Sequence, residues 1–567
     1  MKPEIGNYFQ ELHEQITDRS KWDEERFMVF GHEAGSGKSQ MTFKFIGEMT
    51  KTKTYRVLFV QKFSRDDELI NTVSKINEHA GNIVAMKFSK EDTGNKKRKQ
   101  QAEEAQVLCI THQMYQLICK GEHAELIKDR QILIIDEYPH IIETIHLCSE
   151  DIGKLWINNY KYGLDLSLDA IVNFLRNLLH QKKANKNFNK MLLIEFNIEE
   201  QRRYKKVVNQ LLSRVSDDGD KKILSKINYL LSYGGYMYEN AFYTYREDID
   251  YKMFQNNIIL DANASFDTKY SLSKKFHRIS QPKIFNYSNT IIHHSVIKTG
   301  KCNLKKYINF NEKVLSKVSP ERKNKILFIT DKEREQGLSI SISDYFLSLG
   351  YSKKEAEMII EERIKVDHFG NLIGVNTYRD FDTVVITKTP NYDYISYAMT
   401  FYHLTQNKKE DQLQLFKHEE IESLRESTVA GEIYQAIKRI NRDNSKNCEI
   451  FLFMDNEKVE SIIRSQFPQI HYHKDQFEVD SKKVNKPKKE KKSDIRIGMA
   501  KKYLLEYKEK GAPFIRKIEL RNFLGINDGG NLRNEVLLNL MDFFKEERIF
   551  EDGQKIFLNN PEGNQIS

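Results

Sequence analysis

Phe27-Met28-Val29-Phe30-Gly31-His32-Glu33-Ala34-Gly35-Ser36-Gly37-Lys38-Ser39 decides how the rest of the chain is read. Its four leading apolar residues predict a buried strand, the glycine-rich turn ends it, and a helix opens at Lys38. Gly35 and Gly37 let backbone N–H groups converge on phosphate oxygens with no Cβ in the way, and the helix behind them points its positive end at the same anion. Gly35, Ser36, Gly37, Lys38 and Ser39 are therefore the candidate nucleotide-binding residues, with Lys38 reaching the β/γ-phosphates of ATP and Ser39 holding Mg2+. The strict pattern of such loops has glycine five residues before Gly37; His32 stands there, with Gly31 one place earlier.

Around this stretch the chain runs to 567 residues, too many for one hydrophobic core. Hydrophobic residues make up 39% and charged ones 30%, and no apolar run approaches the roughly 18 residues that a membrane span needs. The amino terminus, Met1-Lys2-Pro3-Glu4-Ile5, lacks an apolar leader core, and Cys109, Cys119, Cys148, Cys302 and Cys448 fall at no ligand spacing. A reduced, cytoplasmic protein with no membrane segment is the expectation. The net charge is +9, and residues 482–567, with 19 basic and 13 acidic side chains, carry +6 of it.

Downstream, Gln131-Ile132-Leu133-Ile134-Ile135-Asp136-Glu137-Tyr138-Pro139-His140 is a second buried-type strand, and it ends in two adjacent carboxylates. Side by side they are costly to bury without a metal or a partner. Asp136 suits Mg2+, and Glu137 suits the orientation of a water that attacks a γ-phosphate. A third stretch, Gln435-Ala436-Ile437-Lys438-Arg439-Ile440-Asn441-Arg442, puts Gln435, Arg439 and Arg442 at i, i+4 and i+7, on one face if the segment is helical. Guanidiniums so placed can neutralise charge developing on a γ-phosphate; a solvated basic helix is the plainer alternative. Lys62 follows the apolar strand Tyr55–Val60, and Thr111-His112-Gln113 ends the strand Val107–Ile110. Both places suit phosphate contacts, though Thr111 is equally a helix cap.

Taken in order, these stretches resemble the motifs of superfamily 2 helicases of the DExH kind over roughly residues 25 to 460. Gly35 to Ser39 is similar to motif I, Lys62 lies in a motif Ia-like loop, Thr111 and His112 in Ib, and Asp136-Glu137 in motif II. Asp261-Ala262-Asn263 looks like motif III with Asn for the usual Thr, and Gly374-Val375-Asn376 with Arg379 and Asp382 looks like motif V. Gln435, Arg439 and Arg442 match motif VI, where Lys438 stands in place of a frequent glycine. The resemblance implies ATP and Mg2+ as cofactors, catalysis by Glu137, Gln435, Arg439 and Arg442, and nucleic-acid contacts from Lys62, Thr111, His112 and Asn376. Motif VI and a long insertion after motif II are also similar to the XPD and DinG branch. That branch carries an iron-sulfur cluster, but only Cys109 and Cys119 lie between motifs Ia and II, too few for its four thiolates.

The expected fold is α/β, with two RecA-like lobes of parallel sheets flanked by helices. Residues 1–140 and 251–275 would form the ATP-binding lobe, 141–250 a helical insertion and 276–480 the second lobe. A basic linker, 481–493, would lead to a small winged-helix-like domain at 494–567, which could hold a nucleic-acid groove or dock a protein partner. The expected function is an ATP-dependent helicase or translocase on nucleic acid, DNA favoured over RNA. An ATPase switch that clamps nucleic acid or a protein without unwinding is the alternative.

Overall fold

The computed structural model describes residues 7–62, 68–158, 166–183, 189–371, 377–442, 444–482, 492–526 and 528–559. Residues up to Asp480 form one compact unit, and those from Ser481 another.

The first unit is built on two parallel sheets. In the first, seven strands run in the order Phe276–Ile279, Phe27–Phe30, Asn256–Leu260, Ile132–Asp136, Val57–Gln61, Val107–Thr111, Ala85–Lys87. Its central strands are continuous apolar runs because helices cover both faces; Val29, Leu133, Ile134 and Ile135 are fully buried. This order places Asn256–Leu260 between the phosphate-loop strand and the strand of the paired carboxylates. Their outgoing loops therefore emerge side by side at the carboxyl ends, where open α/β sheets bind ligands. The helix Gln10–Thr17 buries Leu12 and Ile16 against this sheet, together with Tyr8 and Phe9 just before it. It is fixed by a buried amide pair: Gln15 Nε2 donates to Asn256 Oδ1 at 2.8 Å, and Asn256 Nδ2 returns a bond to the Gln15 carbonyl at 2.8 Å. Leaving either partner alone would cost about 1–3 kcal/mol.

The second sheet has six strands, Ile364–His368, Ile326–Thr330, Thr383–Ile386, Cys448–Met454, Thr290–Val296 and His471–Gln476, again all parallel. These are two RecA-like lobes. The first runs past the expected end at residue 275, since Phe276–Ile279 pairs with Phe27–Phe30.

The insertion differs from expectation. Among the described residues, 141–250 contain the helices Ser149–Asn158, Leu166–Lys183, Ile198–Arg214 and Asp218–Tyr233. They also contain the strands Thr144–Cys148, Lys190–Ile194, Gly235–Tyr238 and Ala241–Tyr245, so the segment is mixed α/β rather than helical. The strands are short runs rich in aromatic and aliphatic residues, and the long amphipathic helices around them dominate the periodicity. A fifth strand, Gln412–Gln414, comes from the second lobe and pairs antiparallel with Lys190–Ile194. Around the junction Met191, Tyr236 and Tyr245 share a core with Tyr394, Tyr402 and Leu413, and Tyr236 Oη donates to Tyr402 Oη at 3.0 Å. The inserted sheet is thus covalently part of one lobe and hydrogen-bonded to the other.

In the second unit, a helix (Lys492–Glu509), a strand (Phe514–Arg516), the helices Lys517–Phe523 and Gly529–Glu535, a short helix (Met541–Glu546) and a hairpin (Phe550–Asp552, Lys555–Phe557) enclose one core. Helix, strand, helices and hairpin in that order make a winged-helix arrangement. Between Gly529–Glu535 and Met541–Glu546 the helical run is interrupted at Val536, whose φ of −124° and ψ of −62° break it. Most of the basic linker, residues 483–491, lies outside the described residues. No described helix is long and apolar enough to cross a membrane.

Candidate active site

The phosphate loop has the backbone that its glycines permit. Gly35 and Gly37 sit at φ +88° and +92°, and Gly37 caps the helix Lys38–Thr50. A Cβ on Gly35 would collide with the carbonyl oxygen of Arg442, so the loop of one lobe touches the arginine segment of the other. Ser39 Oγ donates to Asp136 Oδ2 at 2.9 Å, and Lys38 Nζ lies 3.6 Å from Asp136 Oδ1. Burial raises the Asp136 carboxyl above its ordinary value against the pull of Lys38. Its Oδ1 is buried without a hydrogen-bond partner. An oxygen so oriented beside a serine hydroxyl suits a hard divalent cation, which takes oxygen ligands.

Glu137 adopts a left-handed backbone, φ +70°, unusual for a residue with a side chain, and its N–H donates to the Leu260 carbonyl at 2.9 Å. Such a conformation costs of order 1–3 kcal/mol and persists where its surroundings enforce it. Its Oε2 accepts a bond from Lys62 Nζ at 3.2 Å. Burial works to raise this carboxyl, but Lys62, Lys38 and Arg439 outweigh it and hold it down at about 2.

The arginine segment departs from expectation in form. The helix Glu419–Ile437 ends before Arg439, at a C-cap on Lys438. The chain continues in tight turns, with the N–H of Arg439 bonded to the Ala436 carbonyl at 3.2 Å and Asn441 at φ +40°. Gln435, Arg439 and Arg442 therefore do not share a helix face. Gln435 from the last helical turn and Arg439 and Arg442 from the turns beyond it nevertheless line one cavity of about 780 Å3, which Gly35, Lys38, Ser39, Asp136 and Glu137 line from the other lobe. Arg439 is buried and its Nε has no hydrogen-bond partner. Burial lowers both guanidiniums, Arg442 to about 10 with Arg439 adding to the effect.

Of the other sequence candidates, Thr111 caps the helix His112–Cys119, its Oγ1 accepting from Met114 N at 3.3 Å. His112 Nε2 contacts the Asp136 carbonyl oxygen at 2.9 Å, so it supports the carboxylate strand. Asn376 lies outside the described residues, with Gly374 and Val375. In the motif III-like segment, Asp261 accepts from Tyr270 Oη at 2.7 Å and from Asn263 N at 2.9 Å. Asn263 packs against Gly431 of the helix Glu419–Ile437, where a Cβ would stand 3.0 Å from its amide nitrogen. Glu68, Asn71 and Lys75 also line the cavity, and they escaped sequence reasoning. They belong to the helix Glu68–Ala80 after the strand Val57–Gln61; a first turn there faces the carboxyl end of the sheet, the one signal that could have marked them.

Lys38→Ala removes the ammonium placed 3.6 Å from Asp136 beside the glycine turn. ATP turnover of that variant is expected to fall to background in a phosphate-release assay; turnover near that of wild type would exclude this loop as the phosphate site.

Two RecA-like lobes, with a phosphate loop and paired carboxylates on one and arginines from the other in the same cavity, define a helicase-type ATPase. The order of the phosphate-loop, paired-carboxylate and arginine stretches along the chain is similar to the motif order of DExH-type helicases of superfamily 2. Residues 3–197 match the family described as type III restriction enzyme, res subunit. No curated protein matches the chain. Among solved structures it is similar to S. tokodaii Xpd4, at 12% identity and a TM-score of 0.50, over 83% of this chain and 99% of that one. Mycobacterium smegmatis helicase Lhr bound to ssDNA and AMP-PNP matches at 10% identity and a TM-score of 0.36, over 99% of this chain and 60% of that one. S. cerevisiae Dbp5 bound to RNA and ADP BeF3 also matches at 10% and 0.36, over 84% and 94%.

Proposed function

We propose that the protein is an ATP-dependent nucleic-acid helicase or translocase, with DNA favoured over RNA. The observation that carries this reading is the single cavity lined by Lys38, Asp136 and Glu137 from one lobe and by Gln435, Arg439 and Arg442 from the other. ATP binds there with its phosphates on the turn from Gly35 to Ser39. Ser39 and Asp136 hold Mg2+, which when bound neutralises phosphate charge. Glu137 orients the attacking water, Arg439 and Arg442 stabilise charge on the γ-phosphate, and Gln435 contacts it from the same segment. Cleft closure brings these groups together, and the relative travel of the lobes moves the strand. Lys62, Thr111, His112 and Asn376 are proposed on the nucleic-acid path; for Lys62 this requires exchange of its bond to Glu137 for one to a phosphate.

Strand displacement on labelled partial duplexes of DNA and of RNA tests the reading. ATP-dependent release of the labelled strand, larger for DNA, is expected. ATP hydrolysis without release from either duplex would favour the second reading, an ATPase that clamps nucleic acid or a protein. The pairing of Gln412–Gln414 with the insertion supports that alternative, because it ties one lobe to a module encoded in the other.

The carboxyl-terminal unit is proposed to hold nucleic acid or to dock a protein partner. Two of its acidic residues are already paired, Glu547 with Lys508 at 3.0 Å and Glu551 with Lys517 at 2.8 Å. Ending the chain at Asp480 should leave basal ATP turnover intact, since every candidate ATPase residue lies upstream. If the unit contacts phosphates, each lost contact flattens the slope of log K against log salt by about 0.9 on duplex. An unchanged slope in binding titrations would assign the unit to a protein partner.

A further inference from the structure

The two motif stretches that depart from the common pattern meet in one buried network. In the phosphate-loop stretch His32-Glu33 precedes Ala34, and in the arginine segment Lys438 takes the place of a small residue. Glu33 and Tyr287 are each 1% exposed and Lys438 5%. Tyr287 Oη donates to Glu33 Oε1 at 2.5 Å and accepts from Lys438 Nζ at 3.0 Å. Glu33 Oε2 takes the N–H groups of Ile284 and Phe285, at 2.9 and 3.3 Å. The N–H of Glu33 is itself fixed on Tyr8 Oη at 2.9 Å. Lys438 Nζ lies 4.8 and 4.9 Å from the ring centres of Phe285 and Tyr287, within cation–π range.

The position of this network matters more than its stability. Residues 284–287 belong to the segment that crosses from the last strand of the first lobe, Phe276–Ile279, to the strand Thr290–Val296 of the second. A carboxylate next to the phosphate loop thus grips the interlobe crossing, and through one tyrosine hydroxyl it reaches the cation that precedes Arg439. Close by, Gly35 abuts the Arg442 carbonyl. Burying a carboxylate and an ammonium is costly, and well-packed aliphatic side chains of the same volume often stabilise a core as well or better. What a connected polar network adds is one fixed geometry for the closed cleft, because sliding either lobe while it is closed leaves a buried charge unpaired.

We propose that Glu33, Tyr287 and Lys438 are positioning residues for ATP hydrolysis, holding the segment of Arg439 and Arg442 in register with the phosphate loop across the interlobe crossing. The proposal rests on the reading of the cleft as an ATPase site. Glu33 and Tyr287 stand behind the cavity wall, and Lys438 borders the cavity with its ammonium turned onto the Tyr287 hydroxyl. Their effect is on how well the arginines are placed, so it appears in kcat and leaves KM nearly unchanged.

A pH signature accompanies the geometry. Lys438 faces Glu33, Cys448, Lys283, Arg442 and the Tyr287 hydroxyl. Burial brings its ammonium down to about 8, with Lys283 and Arg442 adding to the fall and Glu33 and Cys448 opposing it. The lysine is charged at neutral pH and loses its proton as pH rises through about 8, when the network loses its cation.

The test is steady-state ATP turnover of the full chain across pH, comparing wild type with Tyr287→Phe, Lys438→Met and Lys438→Arg. Tyr287→Phe removes one oxygen and no volume, so it decides the matter even if Lys438→Met fails to fold. In Tyr287→Phe and Lys438→Met, kcat should fall about 10- to 100-fold, as expected of reacting groups displaced by up to an ångström, with KM for ATP within about threefold of wild type. The alkaline decline near pH 8 should be absent from Lys438→Met and moved upward in Lys438→Arg, which should recover part of kcat. A Tyr287→Phe protein with the kcat of wild type overturns the proposal, as does a loss appearing only in KM or only in melting temperature. A wild type that does not hydrolyse ATP removes the ATPase reading and this proposal together, whereas active wild type with unaffected variants removes this proposal alone.

Discussion

Glu137→Gln is expected to bind ATP and fail to cleave it. The substitution preserves volume and one hydrogen-bond acceptor but removes the charge proposed to orient and polarise the attacking water, so turnover should fall about 10²- to 10⁴-fold. Affinity should change little, because the proposed seat of the phosphates is the turn from Gly35 to Ser39 and not this carboxylate. Lys62, Lys38 and Arg439 overcome the effect of burial and hold the carboxyl at about 2, so it stays ionised throughout the neutral range. The sign follows from a lowered folded-state pKa: the stabilisation from this pairing is complete above the ordinary carboxylate range and is lost only as pH falls toward about 2. An acid decline in activity near neutrality therefore belongs to another group. Nucleotide binding by fluorescence, beside phosphate release, separates the two properties. Normal turnover in Glu137→Gln would remove this residue from the chemistry.

Arg439→Lys and Arg442→Lys are expected to lower turnover by roughly 10³-fold or more while ATP affinity stays nearly constant, since an ammonium cannot reproduce a guanidinium fork on the γ-phosphate. The structure sharpens this expectation. Arg439 is 7% exposed and its Nε has no partner, a costly arrangement unless a ligand completes it. A lysine at either position keeps the charge and loses the planar set of donors. Replacement of both without effect on kcat would reduce the segment to a basic surface.

The strands that carry the site were legible because helices cover them on both faces, which makes Phe27–Phe30 and Ile132–Ile135 unbroken apolar runs. Strands at or near sheet edges were not. His471–Gln476 is a mostly exposed edge strand without an apolar face, and Phe276–Ile279 is a four-residue edge strand with His277 and Arg278 exposed. Thr290–Val296 lies next to the edge, and its two adjacent histidines obscured it. Gln412–Gln414 gains its identity only by pairing with a strand more than 200 residues earlier, which no local pattern reveals. Within the site, side-chain chemistry was readable and backbone geometry was not. The arginine spacing suggested a helical face, but the chain leaves the helix at Ile437 and reaches the cavity through a turn whose asparagines, Asn441 and Asn444, adopt positive φ. The left-handed backbone of Glu137 has no counterpart in composition. Lys62 illustrates a further limit, since a basic residue on a ligand-binding loop was read toward phosphate and stands 3.2 Å from a carboxylate.

The most direct measurement is steady-state ATP hydrolysis by the full chain with Mg2+, in the absence and presence of single-stranded DNA. The account predicts turnover that rises with DNA and disappears in Lys38→Ala. Hydrolysis no greater than that of Lys38→Ala under either condition would contradict it.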